Sequence, residues 1–102
     1  MPWQVVCSLE SLADGEPVAF RCGETELALC KVAVDIFAFA NVCTHQYALL
    51  SDGFVDGDCI ECPLHQGQFS MKTGEPISAP VTVPIRVFPT RVEDGHVLVE
   101  VE

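Results

Sequence analysis

Positive charge is scarce in this chain: five Lys and Arg stand against fifteen Asp and Glu, a net charge of -10 over 102 residues. A nucleic acid held by phosphate neutralisation would have to approach against that field, so DNA and RNA binding are excluded. Long apolar runs are missing as well. The longest, Val32 to Val42, is interrupted by Asp35 and Asn41 and falls well short of the roughly 18 to 20 residues of a membrane span. The opening Met1-Pro2-Trp3-Gln4 has neither the basic region nor the apolar run of a secretory leader. No membrane association and a cytoplasmic location are therefore expected. No internal repeat, low-complexity tract or long apolar stripe at helical spacing is present.

Hydrophobic residues make up 49% of the chain and charged residues 20%, which suits a compact soluble protein. The length fits a single domain over 1–102, too short for a second catalytic domain with its own cleft. Short β-type runs separated by turn residues predict an all-β protein. The candidate strands are Gln4 to Cys7, Val18 to Cys22, Leu27 to Val34, Ile36 to Ala40, Cys59 to Glu61, Gln68 to Ser70, Ile85 to Val92 and His96 to Val101. Glu93-Asp94-Gly95 joins the last two as a hairpin, because Asp-Gly accepts the positive backbone angles of a tight turn. Ser8 to Leu12 fits a short helical turn, and Asp14-Gly15-Glu16-Pro17 breaks the chain after it. Between about 41 and 84 the repeated Asp-Gly, Thr-Gly and Pro steps predict a loop-rich insertion between strands.

Six cysteines could staple a small secreted fold, but a chain without a leader and with enough apolar residues for a core does not call for disulfides. Cys7, Cys22 and Cys30 sit among alternating apolar residues and read as small buried hydrophobes. The informative pair is Cys43-Thr44-His45 and Cys62-Pro63-Leu64-His65, with sixteen residues between His45 and Cys62. Each box offers one thiolate and one imidazole. A 2Fe-2S cluster with two Cys on one iron and two His on the other needs this mixture, so Cys43, His45, Cys62 and His65 are the candidate ligands of one such cluster. Pro63 stiffens the second box, and Gly67 permits a tight backbone path beyond His65. Cys59 lies three residues before Cys62; in a strand such side chains face opposite sides, so Cys59 is expected to point away.

Tetrahedral zinc also accepts two Cys and two His, although common zinc patterns pair like donors rather than alternate them. Nucleophilic catalysis by Cys62 with His65 would need a third orienting residue, and none can be assigned. His96 stands beside the predicted hairpin turn as an exposed histidine. It is the one histidine left for an oxygen-activating mononuclear iron, so catalysis by the chain itself is not expected.

The two boxes, followed by Phe69 and Thr73-Gly74, with Leu50-Ser51-Asp52-Gly53 between them and the proline-bearing Pro76 to Pro84 after them, resemble the Rieske family of 2Fe-2S proteins over nearly the whole chain. The resemblance implies an antiparallel β-sandwich with an inserted cluster-binding subdomain. Respiratory members carry an additional cysteine in each box, joined as a disulfide; the matching positions here are Ala48 and Leu64. Phe69 cannot donate a hydrogen bond. Fewer such bonds and many nearby carboxylates place the potential toward the low end of the Rieske range of about -150 to +300 mV. This combination is similar to Rieske-type ferredoxins, which implies a monomeric one-electron carrier. Its partners would be a flavin-dependent ferredoxin reductase and the terminal Rieske oxygenase of an aromatic-ring dioxygenase system, with Tyr47, Leu49, Leu64 and Gln66 rimming the docking face. A fixed Rieske subunit of an assimilatory nitrite reductase is the competing expectation.

Overall fold

The computed structural model describes residues 3–43, 48–64, 67–78 and 83–101. Among them the chain forms β1 (Trp3–Ser8), β2 (Val18–Cys22), β3 (Thr25–Val32), β4 (Asp35–Ala40), β5 (Phe54–Asp56), β6 (Cys59–Glu61), β7 (Gln68–Ser70), β8 (Pro76–Ser78), β9 (Val87–Phe88), β10 (Thr90–Glu93) and β11 (His96–Glu100), with 3-10 turns at Leu9–Ser11 and Leu50–Asp52. All strand pairings between these elements are antiparallel. They form three sheets, ordered β1-β11-β10, β2-β3-β4-β9 and β5-β6-β7-β8.

The middle sheet explains how these layers share one interior. Leu27, Ala28, Leu29 and Cys30 of β3 are all fully buried, because successive side chains leave opposite faces of a strand and both faces here are covered. Leu27 and Leu29 join a core with Ala38, Phe88, Val97 and Val99 on the side of the β1-β11-β10 sheet. Ala28 and Cys30 join a second core with Phe39, Ile60, Phe69 and Ile85 on the side of the β5–β8 sheet. A continuous apolar run is therefore the mark of a shared wall rather than of a strand with one wet face.

Where β3 turns into β4 the chain is held by a single carboxylate. Val32 pairs with Asp35 across a two-residue connection, and Ala33 adopts a positive φ of 55°, which costs an L-residue about 1–2 kcal/mol unless the surroundings hold it. The Asp14 carboxylate accepts from the Ala33 N–H at 2.6 Å and lies 3.8 Å from the Lys31 ammonium. Gly15 N–H donates to the Lys31 carbonyl at 2.7 Å. The strand expected to reach Val34 thus ends at Val32.

The expected strand Ile85 to Val92 is corrected to two. Val87–Phe88 pairs with β4, whereas Thr90–Glu93 pairs with β11 in another sheet. Pro89 sits at the crossing and has no N–H to continue a ladder. Thr90 hydroxyl donates to the Ile36 carbonyl at 2.9 Å and fastens the crossing to the middle sheet. Two strands were not foreseen, β5 and β8. Phe54–Asp56 lies between the Asp52-Gly53 and Asp56-Gly57 turn signals, which mask it, and β8 begins with Pro76, a position compatible with an edge strand.

Gly74 ties the return of the chain to the rest. Its φ is +85°, and a Cβ added there would lie 2.1 Å from the Ile85 carbonyl oxygen; Ile85 N–H in turn donates to the Gly74 carbonyl at 2.9 Å. Gly74→Ala should therefore lower stability by more than the ~1 kcal/mol expected of a left-handed residue alone, measured by denaturant unfolding. A loss no larger than that would show that the backbone relaxes around the added carbon.

Candidate metal centre

Cys43 and Cys62 lie at matching places in two hairpins. After β4, Asn41 carbonyl accepts from Leu50 N–H at 2.7 Å and Cys43 N–H donates to Ala48 carbonyl at 2.9 Å, with an antiparallel bridge between Val42 and Leu49. In the third sheet Glu61 pairs with Gln68, and one step farther Cys62 N–H donates to Gly67 carbonyl at 2.8 Å. Both boxes are thus closed by the cysteine's own amide, donated to the residue five positions on. The segments so closed contain His45 and His65, which lie outside the described residues, as do Tyr47 and Gln66.

The two cysteines are buried, at 4% and 0% exposure, in the same core with Leu50, Ile60, Phe69, Met71 and Ile85. Phe69 fills its place with a ring that offers no hydrogen bond. Ala48 is buried and Leu64 is 61% exposed. Leu49 is half-buried and lines an open cavity of about 300 Å³ with Ala19, Phe20, Arg21, Glu26 and Asn41.

The first hairpin is braced by Asn41, 2% exposed and the one buried polar residue among those described. Its side-chain carbonyl accepts from Ser51 N–H at 2.7 Å, its amide donates to the Ser51 hydroxyl at 3.0 Å, and its backbone N–H donates to Glu26 carbonyl at 3.2 Å. Neither the hydrophobic pattern nor the metal-ligand spacing pointed to Asn41; its place between an apolar strand and the first box was the available signal. Gly53 performs a similar service between the boxes. A Cβ there would stand 2.0 Å from the Glu61 carbonyl oxygen, so its absence lets the strand leading to Cys62 approach the segment leaving the first hairpin.

The other cysteines stand apart from this arrangement. Cys7, Cys22, Cys30 and Cys59 are free thiols, which rules out a three-bridge framework. Cys59 pairs with Asp56 and Ser70 on the outer face of the third sheet, opposite to Ile60 and Cys62, as strand alternation predicts. Its thiol is pushed up by burial and by the Asp58 and Asp56 carboxylates. Cys30 is pushed up to about 11, first by burial and then by Asp14. His96 is exposed at the start of β11. Two buried thiols beneath equivalent hairpins, each box also carrying a histidine, fit a cluster bound unevenly by sulfur and nitrogen. Among the described residues no other group of His, Cys, Asp and Glu could hold a metal.

The Rieske [2Fe-2S] domain profile matches residues 2–89. The chain belongs to the Rieske [2Fe-2S] family. It is 39% identical to the anthranilate 1,2-dioxygenase ferredoxin subunit of Burkholderia cepacia, over 97% of this chain and 92% of that protein. Among solved structures, the Sphingomonas yanoikuyae B1 ferredoxin superposes with a TM-score of 0.92 at 39% identity, covering 97% of this chain and 98% of that one. The ferredoxin solved in a complex of reduced oxygenase and oxidised ferredoxin in carbazole 1,9a-dioxygenase gives 0.91 at 41% identity, with 97% and 93% covered. The Rieske assignment carries one [2Fe-2S] cluster and sets zinc aside.

Two outcomes test this construction. Asn41→Ala removes both hydrogen bonds to Ser51 and should cost about 1–3 kcal/mol, with faster bleaching of the cluster absorbance on mild heating; unchanged bleaching would show that the first hairpin holds without it. The unfolded Cys30 thiol ionises near its ordinary 9.0 while the folded one holds its proton to about 11. Its contribution is therefore full below pH 9 and lost as the pH rises toward 11. Cys30→Ala should flatten that part of the stability-pH curve.

Proposed function

We propose that this chain is a one-electron carrier between a flavin-dependent ferredoxin reductase and the terminal Rieske oxygenase of an aromatic-ring dioxygenase, and that it catalyses no oxygenation itself. The observation that carries this reading is the pair of buried cysteines under two identically closed hairpins, in a chain similar over nearly its whole length to ferredoxin subunits of such systems. Cys43 and Cys62 would hold one iron and His45 and His65 the other, within a single domain over 1–102 whose cluster-binding part spans about 41–84. When bound, a Rieske cluster accepts and returns one electron.

The protein's part is to hold its ligands still and dry. The apolar side chains of Leu50, Ile60, Phe69 and Met71 exclude water from around Cys43 and Cys62. The Asn41–Ser51 bonds and the two amide closures fix where the boxes begin and end. With Phe69 unable to donate to sulfur and with a net charge of -10, an added electron is weakly stabilised, which favours a potential near the low end of the family's range. A low potential suits a carrier that gives its electron onward.

His45→Cys or His65→Cys should abolish the Rieske electron paramagnetic resonance and optical spectra, while Cys59→Ser keeps them; a lost spectrum in Cys59→Ser would overturn the ligand set. The functional reading is tested by mixing the reduced protein with terminal oxygenases of aromatic dioxygenases and following its reoxidation. Reoxidation by an oxygenase is the expected result. Failure with all of them, with transfer inside a nitrite-reducing complex, would move the chain to the competing assignment.

A further inference from the structure

We propose that Glu61 supplies the fixed negative charge that holds down the reduction potential of this carrier, an inference that rests on the carrier reading and on Cys62 as a ligand. Fifteen acidic residues give the chain its charge, but position and screening make them unequal. Asp14, Glu26 and Glu93 are paired with Lys31, Arg21 and Arg91. Among the described residues every Asp and Glu is exposed except Glu61 and Glu100, which are half-buried. Glu100 pairs with Trp3 at the end of the β1–β11 ladder, on the sheet that packs against the other core. Glu61 immediately precedes Cys62 and has no cationic partner among the described residues.

What holds this carboxylate is neutral. Glu61 pairs with Gln68 across β6 and β7, and the Gln68 side-chain amide donates to Glu61 Oε1 at 3.2 Å. Gln68 is itself anchored, its backbone N–H donating to Ser78 Oγ at 3.2 Å. The Glu61 backbone is hemmed in by Gly53, where a Cβ would stand 2.0 Å from the Glu61 carbonyl oxygen. Strand alternation puts the Glu61 side chain on the face opposite Ile60 and Cys62, so it acts through its charge and not as a ligand. An amide orients a carboxylate without cancelling it. The first box is built differently: the neutral Asn41 and Ser51 bridge its neck, and Glu26, whose carbonyl accepts from Asn41, is neutralised by Arg21. Adding an electron beside a fixed, half-buried negative charge is opposed by a repulsion that solvent and salt screen less than at an exposed site.

The test is a redox titration of the loaded protein, followed by its optical spectrum at low ionic strength and at about 1 M salt, where exposed charges are screened. At the parent's midpoint potential, Glu61→Gln should raise the ratio of reduced to oxidised protein about threefold or more, and the rise should persist in high salt. Gln68→Lys, which sets an ammonium beside the intact carboxylate, should move the ratio the same way. Asp56→Asn, at an exposed site on the same sheet, should raise it at low salt alone, and Glu93→Gln, paired with Arg91 on β10, should keep the parent ratio. A parent ratio in Glu61→Gln overturns the proposal, as does a rise that vanishes in high salt, which would make Glu61 one more surface charge. If Glu61→Gln assembles no cluster, Gln68→Lys decides, and a parent ratio there overturns it. A parent protein that reduces no oxygenase defeats the carrier reading, while the shift in Glu61→Gln, read on the isolated protein, still stands or falls by itself.

Discussion

The closure of each ligand box by its cysteine's own amide is the constraint on which the site depends. Cys43 to Ala48 and Cys62 to Gly67 are single backbone hydrogen bonds, modest in isolation at about 1 kcal/mol each. Their value lies in position. Each continues a strand pairing that is already made, Val42 with Leu49 and Glu61 with Gln68, so the cost of ordering the box is shared with the sheet below it. A metal ligand held at the end of a paired ladder moves less than one carried on an open loop.

The middle sheet supplies the other half of the support. Because β3 is buried on both faces, Leu27 and Leu29 bind the hairpin β10–β11 to it while Ala28 and Cys30 share a core with Cys43 and Cys62. Small side chains at 28 and 30 leave room on that face for Phe39 and Phe69, in keeping with close packing of unequal residues. The arrangement places a dry site on one side of the middle sheet. An electron carrier needs such a matrix, one that does not rearrange when its charge changes.

Individual residues show how far the chain could be read directly. The alternation in His96 to Val101 and the Asp94-Gly95 turn were sufficient for the last hairpin, since a period of two and a turn with positive φ are local properties. Pro89 was visible too, but its effect was not: that the chain leaves one sheet and enters another there depends on which strands lie alongside. β5 and β8 escaped notice because Asp-Gly steps flank the one and Pro76 opens the other, so both read as turns. For the site, the donor types and spacing of the two boxes were explicit. Asn41 was not, because its role comes from facing Ser51 across a hairpin.

Composition and spacing thus determined an all-β chain, an acidic surface hostile to nucleic acids, and two boxes that each carry one sulfur and one nitrogen donor. These follow from local stereochemistry and from the chemistry of single side chains, which no partner is needed to express. Tertiary structure alone decided that β3 serves two cores, that Cys43 and Cys62 are buried in one of them, and that Asn41 braces the first hairpin against Ser51. Those are statements about neighbours distant in the chain, and only packing selects them.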